Sequence, residues 1–206
     1  MENIIYKYFN LSEDQKSKID LMIHVYQFWN EKINLISRKD FNYFYERHVL
    51  HSLSICKQFN FIDKTKIMDL GTGGGFPGVP LAIMFPKVHF ELVDSINKKT
   101  IALKEIIKEL RLDNVAVVNK RAEDIEQTFD FVVCRAVAKL EKLKAWTQQS
   151  ISSNHNHPFK NGLICLKGGD LIVETQKNNH NLRIYSISDY FQEDFFKEKK
   201  IIYLHK

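Results

Sequence analysis

The sequence predicts an α/β protein built on a doubly wound, seven-stranded and mostly parallel sheet with an N-terminal helical extension. Three observations support this fold class: a glycine-crowded turn directly follows an apolar strand near residue 70, further apolar strands alternate with helical patterns, and two strands close the chain. With 206 residues and 44% hydrophobic side chains, the chain can bury a sizeable core. We expect residues 1–62 to form the extension, packed on a core made by residues 63–206.

The first sixty residues follow a helical pattern. Apolar side chains recur at three- and four-residue steps between Ile19 and Ile33, and Ser12 with Gln15 three positions later is a candidate capping box. No linker rich in Gly, Pro or Ser precedes Asp63. We therefore expect these helices to pack on the sheet.

Residues 67–78, Ile-Met-Asp-Leu-Gly-Thr-Gly-Gly-Gly-Phe-Pro-Gly, place the glycine-rich turn at the end of a buried strand. Read from Gly73, the run fits the dinucleotide pattern G-x-G-x-x-G; read from Asp69, it fits the D-x-G-x-G loop of S-adenosylmethionine-dependent methyltransferases. Pro77 removes an amide hydrogen that a pyrophosphate needs at the helix start. The second reading is therefore favoured, which predicts a class I, Rossmann-like methyltransferase fold with S-adenosylmethionine as cofactor.

The residues of this loop are the first candidates for cofactor binding. Gly71, Gly73 and Gly75 lack the Cβ atoms that would keep a ligand away from the backbone. The Asp69 carboxylate has two open roles, since it can hold the loop or contact the ammonium group of the cofactor through water.

A second strand, His89–Val93, ends in Asp94, where an acidic side chain can accept both ribose hydroxyls. The alternative role for Asp94 is to cap the helix that starts near Asn97. That helix continues through Thr100–Leu110.

The third strand, Val115–Val118, leads into a loop with two candidates for contacts to adenine, the Ala122 amide and the Glu123 carboxylate. Glu123 can equally be a favourable charge in a first helical turn. The fourth strand, Phe129–Cys134, ends in Arg135 where this architecture places the reactive methyl group.

The residues after the fourth strand argue against two common methyl-transfer reactions. Enzymes that methylate exocyclic amines carry Asn or Asp followed by Pro-Pro and an aromatic residue here, and Arg135-Ala136-Val137-Ala138 has no such pattern. Cys134 as a covalent nucleophile would need a low-pKa thiolate and usually a preceding proline, so the core reading of Cys134 is favoured.

The remaining elements complete the count of seven strands. A helix is expected from about Lys139 to Ser150, a fifth strand at Gly162–Lys167, and a closing pair at Leu182–Ile187 and Lys200–Leu204.

Charge distribution favours an RNA partner. The net charge is +5 and the pI about 8.9, and a basic cluster of Arg135, Lys139, Lys142 and Lys144 lies next to the expected active-site mouth. We interpret these lysines as RNA contacts rather than as an ordinary solvated helix face. Residues 97–121 hold seven Lys or Arg, and we interpret this second cluster as the solvated surface of a helix without a binding role.

Other candidate RNA contacts come from the N-terminal segment and from the end of the fifth strand. They are Asn30, Asn34, Arg38, Arg47, His48 and Lys167. For His48 a structural role is at least as well supported, and Lys167 can be a solvated strand-end lysine. A flipped target base would stack on an aromatic or guanidinium plane, for which the candidates are Phe76, Arg135 and Trp29.

Several absences shape the remaining expectations. The three cysteines show no short-range pairing, and no metal-ligand spacing is present, so we expect a reducing compartment and no metal. No window reaches about 18 apolar residues. We expect a soluble, cytoplasmic protein without a membrane partner, and a monomer.

Six segments together also resemble the bacterial small-subunit ribosomal RNA methyltransferase G family, once called glucose-inhibited division protein B. They are Phe-Trp-Asn-x-x-x-Asn-Leu, Arg-His-x-Leu-x-Ser-Leu, Asp-Leu-Gly-Thr-Gly-Gly-Gly-Phe-Pro-Gly-Val-Pro-Leu-Ala, Val-Asp-Ser-x-x-Lys-Lys, Arg-Ala-Glu and Cys-Arg-Ala-Val-Ala. The match as a whole runs from about Val25 to Lys167. The sequence departs from the family pattern at His51, where an acidic residue is usual, and at Ile36-Ser37.

The resemblance implies methylation of the position-seven nitrogen of one guanine in 16S ribosomal RNA, on free RNA or on the small ribosomal subunit. It places cofactor contacts on Gly71, Phe76, Ala122, Glu123 and Arg135, with Arg135 positioning base or cofactor and no general base. The alternatives are methylation of another RNA base or a small molecule, or a non-catalytic RNA-binding protein that keeps the fold.

Overall fold

A computed structural model of the chain describes residues 3–169 and 181–206. The strands, numbered along the chain, are β1 Lys66–Leu70, β2 His89–Asp94, β3 Val115–Asn119, β4 Phe131–Arg135, β5 Gly162–Gly168, β6 Leu182–Ser186 and β7 Lys199–His205. They form one sheet in the order β3-β2-β1-β4-β5-β7-β6. β1 to β5 are parallel, and β7 pairs antiparallel with both β5 and β6. The predicted doubly wound, mostly parallel sheet with a closing pair is confirmed.

The α-helices are α1 Ile4–Tyr8, α2 Glu13–Lys32, α3 Arg38–Phe41, α4 His51–Leu53, α5 Gly78–Met84, α6 Asn97–Glu109 and α7 Leu140–Thr147. α5 connects β1 to β2, α6 connects β2 to β3, and α7 lies between β4 and β5. The strand order reverses between β1 and β4, which makes the carboxyl ends of these two strands the expected ligand crevice.

The element boundaries differ from the prediction mainly at the ends. Phe129, expected in the fourth strand, forms only an isolated bridge with Ile151 before β4 begins. α6 begins at Asn97, where its start was predicted, because the turn after Asp94 directs the chain into the helix, and it ends at Glu109, one residue before the predicted end.

Side chains alternate across the sheet and bury two apolar layers. Ile67, Phe131 and Val133 face the layer that includes the N-terminal helices, α5 and α6, whereas Met68 and Val132 face the layer that includes α7. This alternation is the period-two pattern of a sheet covered on both faces.

The N-terminal helices share their buried side chains with the sheet layer. The predicted capping box is present, since Ser12 Oγ accepts from the Gln15 amide and Gln15 Oε1 accepts from the Ser12 amide. Gln15 Nε2 also donates to the carbonyls of Ile83 and Met84, at 3.3 and 3.2 Å, at the end of α5. One side chain thus starts α2 and ties it to the core; the boundary at residue 62 stays a prediction.

A π-helix occupies Phe44–Leu50 between α3 and α4. The helical pattern of the first sixty residues did not reveal it, because one extra residue in a turn changes the spacing of apolar positions only slightly. π-helical segments are rare and are found frequently at functional sites. Within the described ranges, no helix combines the length and the apolar composition that crossing a bilayer requires.

Asn114 closes the turn that precedes β3. Its Nδ2 donates to the carbonyls of Ala82, Phe85 and Val88 at 3.0–3.1 Å, which joins the end of α5 to the start of β2 and β3. We expect Asn114→Ala to lower the free energy of unfolding by about 1–3 kcal/mol because these acceptors lose their shared donor. Urea unfolding followed by circular dichroism measures the change, with the exposed neighbour substitution Asp113→Ala as the control. Equal stabilities of the two variants would contradict this role for Asn114.

Candidate active site

The loop between β1 and α5 adopts a backbone that favours glycine at three of the predicted positions. Gly71, Gly73 and Gly75 have φ values of +64°, +57° and +88°, in the left-handed region that other residues rarely adopt. A Cβ added at Gly71 would lie 2.8 Å from Val137 Cγ2. Gly71 and Gly73 are partly exposed at the carboxyl end of β1, whereas Gly75 is buried, and a Cβ added there would lie 2.6 Å from Val79 Cγ2.

The Asp69 side chain holds this loop through two hydrogen bonds. Its Oδ2 accepts hydrogen bonds from Thr72 Oγ1 at 2.6 Å and from the Gly78 amide at 2.8 Å. The side chain is fully buried, and burial raises the pKa of Asp69 to about 7. Of the two roles considered for Asp69, these hydrogen bonds support the first, which is to hold the loop. Its Oδ1 is buried and has no hydrogen-bond partner among the described residues.

Asp94 connects the end of β2 to the same loop. Its Oδ2 accepts from the Gly73 amide and its Oδ1 from the Ile96 amide, both at 2.8 Å. Ile96, not Asp94, is the N-cap residue of α6, and no side chain caps that helix. Each carboxylate oxygen keeps a further lone pair that can accept from a hydroxyl, so the ribose role stays a prediction with geometry that allows it.

A cavity of about 450 Å³ opens between the carboxyl ends of β1 to β4. Its lining includes five residues predicted to bind the cofactor: Gly71, Asp94, Ala122, Glu123 and Arg135. The sequence reasoning missed Trp146, which lines the cavity from α7 together with Lys142. Lys142 Nζ lies 4.6 Å from the centre of the Trp146 ring. The four-residue spacing of a cation and an aromatic residue on this helix was the available signal.

A larger groove of about 640 Å³ lies at the opposite edge, between the amino ends of β2 and β3 and the segment before β4. It contains no glycine loop. Parallel sheets of this kind bind ligands at their carboxyl ends, so the smaller cavity is the candidate site.

Arg135 joins the end of β4 to the π-helix. Its Nη1 donates to the carbonyl of Arg47 at 3.0 Å, and its Nη2 donates to His48 Nδ1 at 2.9 Å. Burial lowers the pKa of Arg135 to about 10, so the guanidinium stays charged at neutral pH.

The Arg135 contact settles the protonation state of His48. A guanidinium only donates, so Nδ1 is the acceptor and the proton of the neutral ring is on Nε2. Burial, together with the Arg135 charge, lowers the pKa of His48 to about 3. The imidazole is therefore neutral and its basic nitrogen is already occupied. His51, the departure from the family pattern, is buried, and its ring packs edge-on against Phe195 and Phe196.

Two of the three candidates for base stacking lie away from the cavity opening. The ring of Phe76 is buried against Tyr26 and His48, with centroids 5.1 and 5.3 Å apart, and the Arg135 guanidinium lies 5.1 Å from its centre. Trp29 does not line the cavity, and its Nε1 donates to Glu109 at the last turn of α6, at 3.5 Å. The Phe76 ring therefore packs against Arg135 and has no exposed face on which a base could stack.

The candidate RNA contacts fall into two groups. Three side chains hold the protein's own structure: Asn30 Oδ1 accepts from the Ile36 amide at 2.9 Å, Arg47 pairs with Asp40 at 2.9 Å, and Lys167 Nζ donates to the Ala138 carbonyl at 2.9 Å. His48 belongs with these three, because its Nδ1 accepts from Arg135. The remaining five have exposed side chains: Asn34, Arg38, Lys139, Lys142 and Lys144. Lys142 alone among them lines the cavity.

Cys134 is a core residue. It is buried in the layer beside α7, and its Sγ donates to Cys165 Sγ on β5 at 3.2 Å. This hydrogen bond and burial both raise the pKa of Cys134. The thiol is therefore unsuited to act as a nucleophile. In the described part of the chain, no cluster of His, Cys, Asp and Glu is arranged to hold a metal.

Comparisons with known proteins show which proteins the chain resembles. The family model described as "rRNA small subunit methyltransferase G" matches residues 15–202. A ribosomal RNA small subunit methyltransferase G from Phocaeicola vulgatus is 51% identical and covers 98% of this chain and 97% of the relative. The protein of the same name from Bacteroides thetaiotaomicron is 50% identical over 97% and 98%. Among solved structures, a SAM-dependent methyltransferase from Aquifex aeolicus aligns with a TM-score of 0.56 at 16% identity, over 74% of this chain and 88% of that one.

The raised pKa of Asp69 predicts a pH-dependent stability. The unfolded-state pKa is about 4, so the stability that protonated Asp69 contributes is present below about pH 4 and is lost as the pH rises to about 7. The free energy of unfolding of the wild type should fall across this window relative to Asp69→Asn, which cannot ionise. Denaturant unfolding at a series of pH values measures this difference.

Thr72→Val provides a matched control for Asp69→Asn, because it removes a hydrogen bond that favours the charged carboxylate. We expect Thr72→Val to move the loss of stability to higher pH. If the free energies of unfolding of the wild type and Asp69→Asn change with pH in parallel, folding does not raise the pKa of Asp69, and the prediction is wrong.

Proposed function

The chain belongs to the rRNA small subunit methyltransferase G family, and on that premise we propose that it methylates the position-seven nitrogen of one guanine in 16S ribosomal RNA, with Arg135 positioning the reactants. The family makes it an S-adenosylmethionine-dependent enzyme that acts on ribosomal RNA. The proposed part is the atom that receives the methyl group, the direct transfer without a general base, and the residues that carry it.

The observation that carries this proposal is the chemistry at the carboxyl end of β4. Arg135 is followed there by Ala136, Val137 and Ala138, and its neighbour His48 is neutral with Nδ1 already accepting from Arg135. None of the described residues at this strand end offers a free base. Position seven of guanine carries an in-plane lone pair and no proton, so its attack on a methyl group requires no proton acceptor.

The proposed contacts for S-adenosylmethionine use the cradle around the cavity. The backbone of Gly71 and Gly73 allows close approach, and Gly75 supports the loop by packing its backbone into the core. Asp94 accepts the ribose hydroxyls, and the leftover Oδ1 of Asp69 suits the ammonium group through water. When bound, the cofactor supplies a methyl group on a positively charged sulfur. The chain's contribution is then alignment and removal of water.

Ala122 and Glu123 suit the adenine end of the cofactor. Both line the cavity from the short 3₁₀ helix Ala122–Asp124 that follows β3. A backbone amide and a carboxylate match the ring nitrogen and the amino group of adenine, which are an acceptor and a donor.

The proposed RNA path starts on α7. Lys139, Lys142 and Lys144 have exposed side chains on the helix that leaves the β4 end, and Lys142 reaches the cavity wall. Ammonium groups next to the opening can contact phosphates on either side of the target nucleotide.

Cofactor binding tests the site directly. Titration calorimetry should show S-adenosylmethionine binding and no response to NAD. Asp94→Ala should weaken the affinity by about 1–3 kcal/mol, because the ribose hydroxyls lose their acceptor. Glu91→Ala, on the same strand and outside the cavity, is the control for β2. An unchanged affinity of Asp94→Ala would restrict Asp94 to holding Gly73.

Nucleoside mass mapping of 16S RNA tests the reaction. RNA treated with the wild type should gain 7-methylguanosine at one position. Arg135→Ala should lower turnover by at least about tenfold with RNA saturating, since the guanidinium orients the reactants. Methylation of another base would contradict the proposed target atom, and full turnover of Arg135→Ala would contradict the positioning role.

Salt dependence tests the RNA path on α7. The triple variant Lys139→Gln, Lys142→Gln, Lys144→Gln should keep cofactor affinity. Its RNA binding should depend less steeply on salt, by roughly one unit of slope for each phosphate that these lysines neutralise in the wild type. An unchanged slope would show that this helix is a solvated face and lies off the RNA path.

A further inference from the structure

Four side chains form a ladder of aromatic rings and cations beside the β4 end. The Arg47 guanidinium carbon lies 3.9 Å from the centre of the Tyr43 ring and 5.4 Å from that of Phe195. Lys199 Nζ lies 4.9 Å from the centre of the Phe195 ring. The order Tyr43, Arg47, Phe195, Lys199 therefore alternates ring and cation, and we call this set the aromatic ladder.

The aromatic ladder lies at the same edge of the sheet as the cavity. Arg47 accepts a hydrogen bond from Arg135 through its carbonyl, at 3.0 Å. Lys199 pairs with Gly168 at the carboxyl end of β5, and its Nζ would lie 2.8 Å from a Cβ added there. The two cations therefore lie near the carboxyl ends of β4 and β5, at the edge of the sheet where the cavity opens.

The outer end of the ladder is open. Tyr43 is 47% exposed although one ring face is turned to Arg47. Arg47 keeps 32% of its side chain exposed and is held in position by its 2.9 Å ion pair with Asp40. The π-helix begins immediately after Tyr43 and carries Arg47, so one short element sets the spacing of ring and guanidinium.

We infer that the aromatic ladder is a platform for the RNA strand next to the target guanine. An unstacked base lies on the open face of Tyr43, and Arg47 and Lys199 face the phosphates. Exposed aromatic faces interleaved with cations match the two parts of a single-stranded nucleic acid, its π-faces and its charged backbone. We favour RNA over a protein partner with an apolar surface, because such a surface would place no negative charge against Arg47 or Lys199. This inference rests on the proposed RNA substrate and adds Tyr43, Phe195 and Lys199 to its contacts.

The test compares the ladder with a matched pair elsewhere. Phe28 on α2 is 51% exposed, and Lys32 Nζ lies 3.7 Å from its ring centre, which is the same combination of ring and cation. The adjacent Trp29 contacts Glu109 at the far end of α6, so this pair lies away from the cavity. The variants are Tyr43→Ala, Tyr43→Phe and Lys199→Gln, with Phe28→Ala and Lys32→Gln as controls.

The readouts are the dissociation constants for 16S RNA and for a short single-stranded RNA at several salt concentrations, together with S-adenosylmethionine affinity and thermal melting. Tyr43→Ala should weaken RNA binding by about tenfold, whereas Tyr43→Phe keeps the ring and stays close to the wild type. Lys199→Gln should reduce the salt slope by about one unit. The controls, the cofactor affinity and the melting temperatures should remain unchanged.

Two failures are distinguishable. If Tyr43→Ala binds RNA as tightly as Phe28→Ala does, the platform is overturned even where the wild type methylates 16S RNA. If the wild type methylates no RNA, the proposed function fails, while loss of single-strand binding in Tyr43→Ala would still support the platform.

Discussion

The site depends on a buried carboxyl group and a largely buried guanidinium at the carboxyl edge of the sheet, Asp69 and Arg135. Burial raises the pKa of Asp69 and lowers that of Arg135, and the attraction between the two groups opposes both shifts. Asp69 closes the glycine loop, and Arg135 holds the π-helix. Because each charge favours the ionised form of the other, the loop and the N-terminal helices are coupled through the ends of β1 and β4.

The N-terminal helices are therefore part of the site. The π-helix presents the Arg47 carbonyl and His48 Nδ1 to Arg135, and its rings pack with Phe76 under the glycine loop. Capping and packing of α2 hold the other end of this segment on α5. A substitution in the first sixty residues can thus alter the β4 end without touching a ligand.

The arrangement suits a reaction limited by alignment. His48 is neutral and its Nδ1 is occupied by Arg135, which can only donate, and the Asp94 carboxylate on the cavity wall is held in place by the Gly73 amide. Rigid donors and a shaped opening can orient a nucleophile that needs no deprotonation. The aromatic ladder extends the same logic to the flanking strand, because it positions nucleotides without reading their sequence.

The sequence by itself determined the sheet, the glycine loop, the capping box of α2 and the acidic residue at the end of β2, because periodicity and turn chemistry are local properties of the chain. It placed Asp94, Ala122 and Glu123 at one cavity, since parallel strands bring their carboxyl ends together. Only the tertiary structure decided that Phe76 is buried, that His48 receives a hydrogen bond from Arg135, and that Trp146 lines the cavity. The ladder joins Tyr43 and Arg47 to residues about 150 positions later. Such contacts follow from how distant elements pack, and no local pattern encodes them.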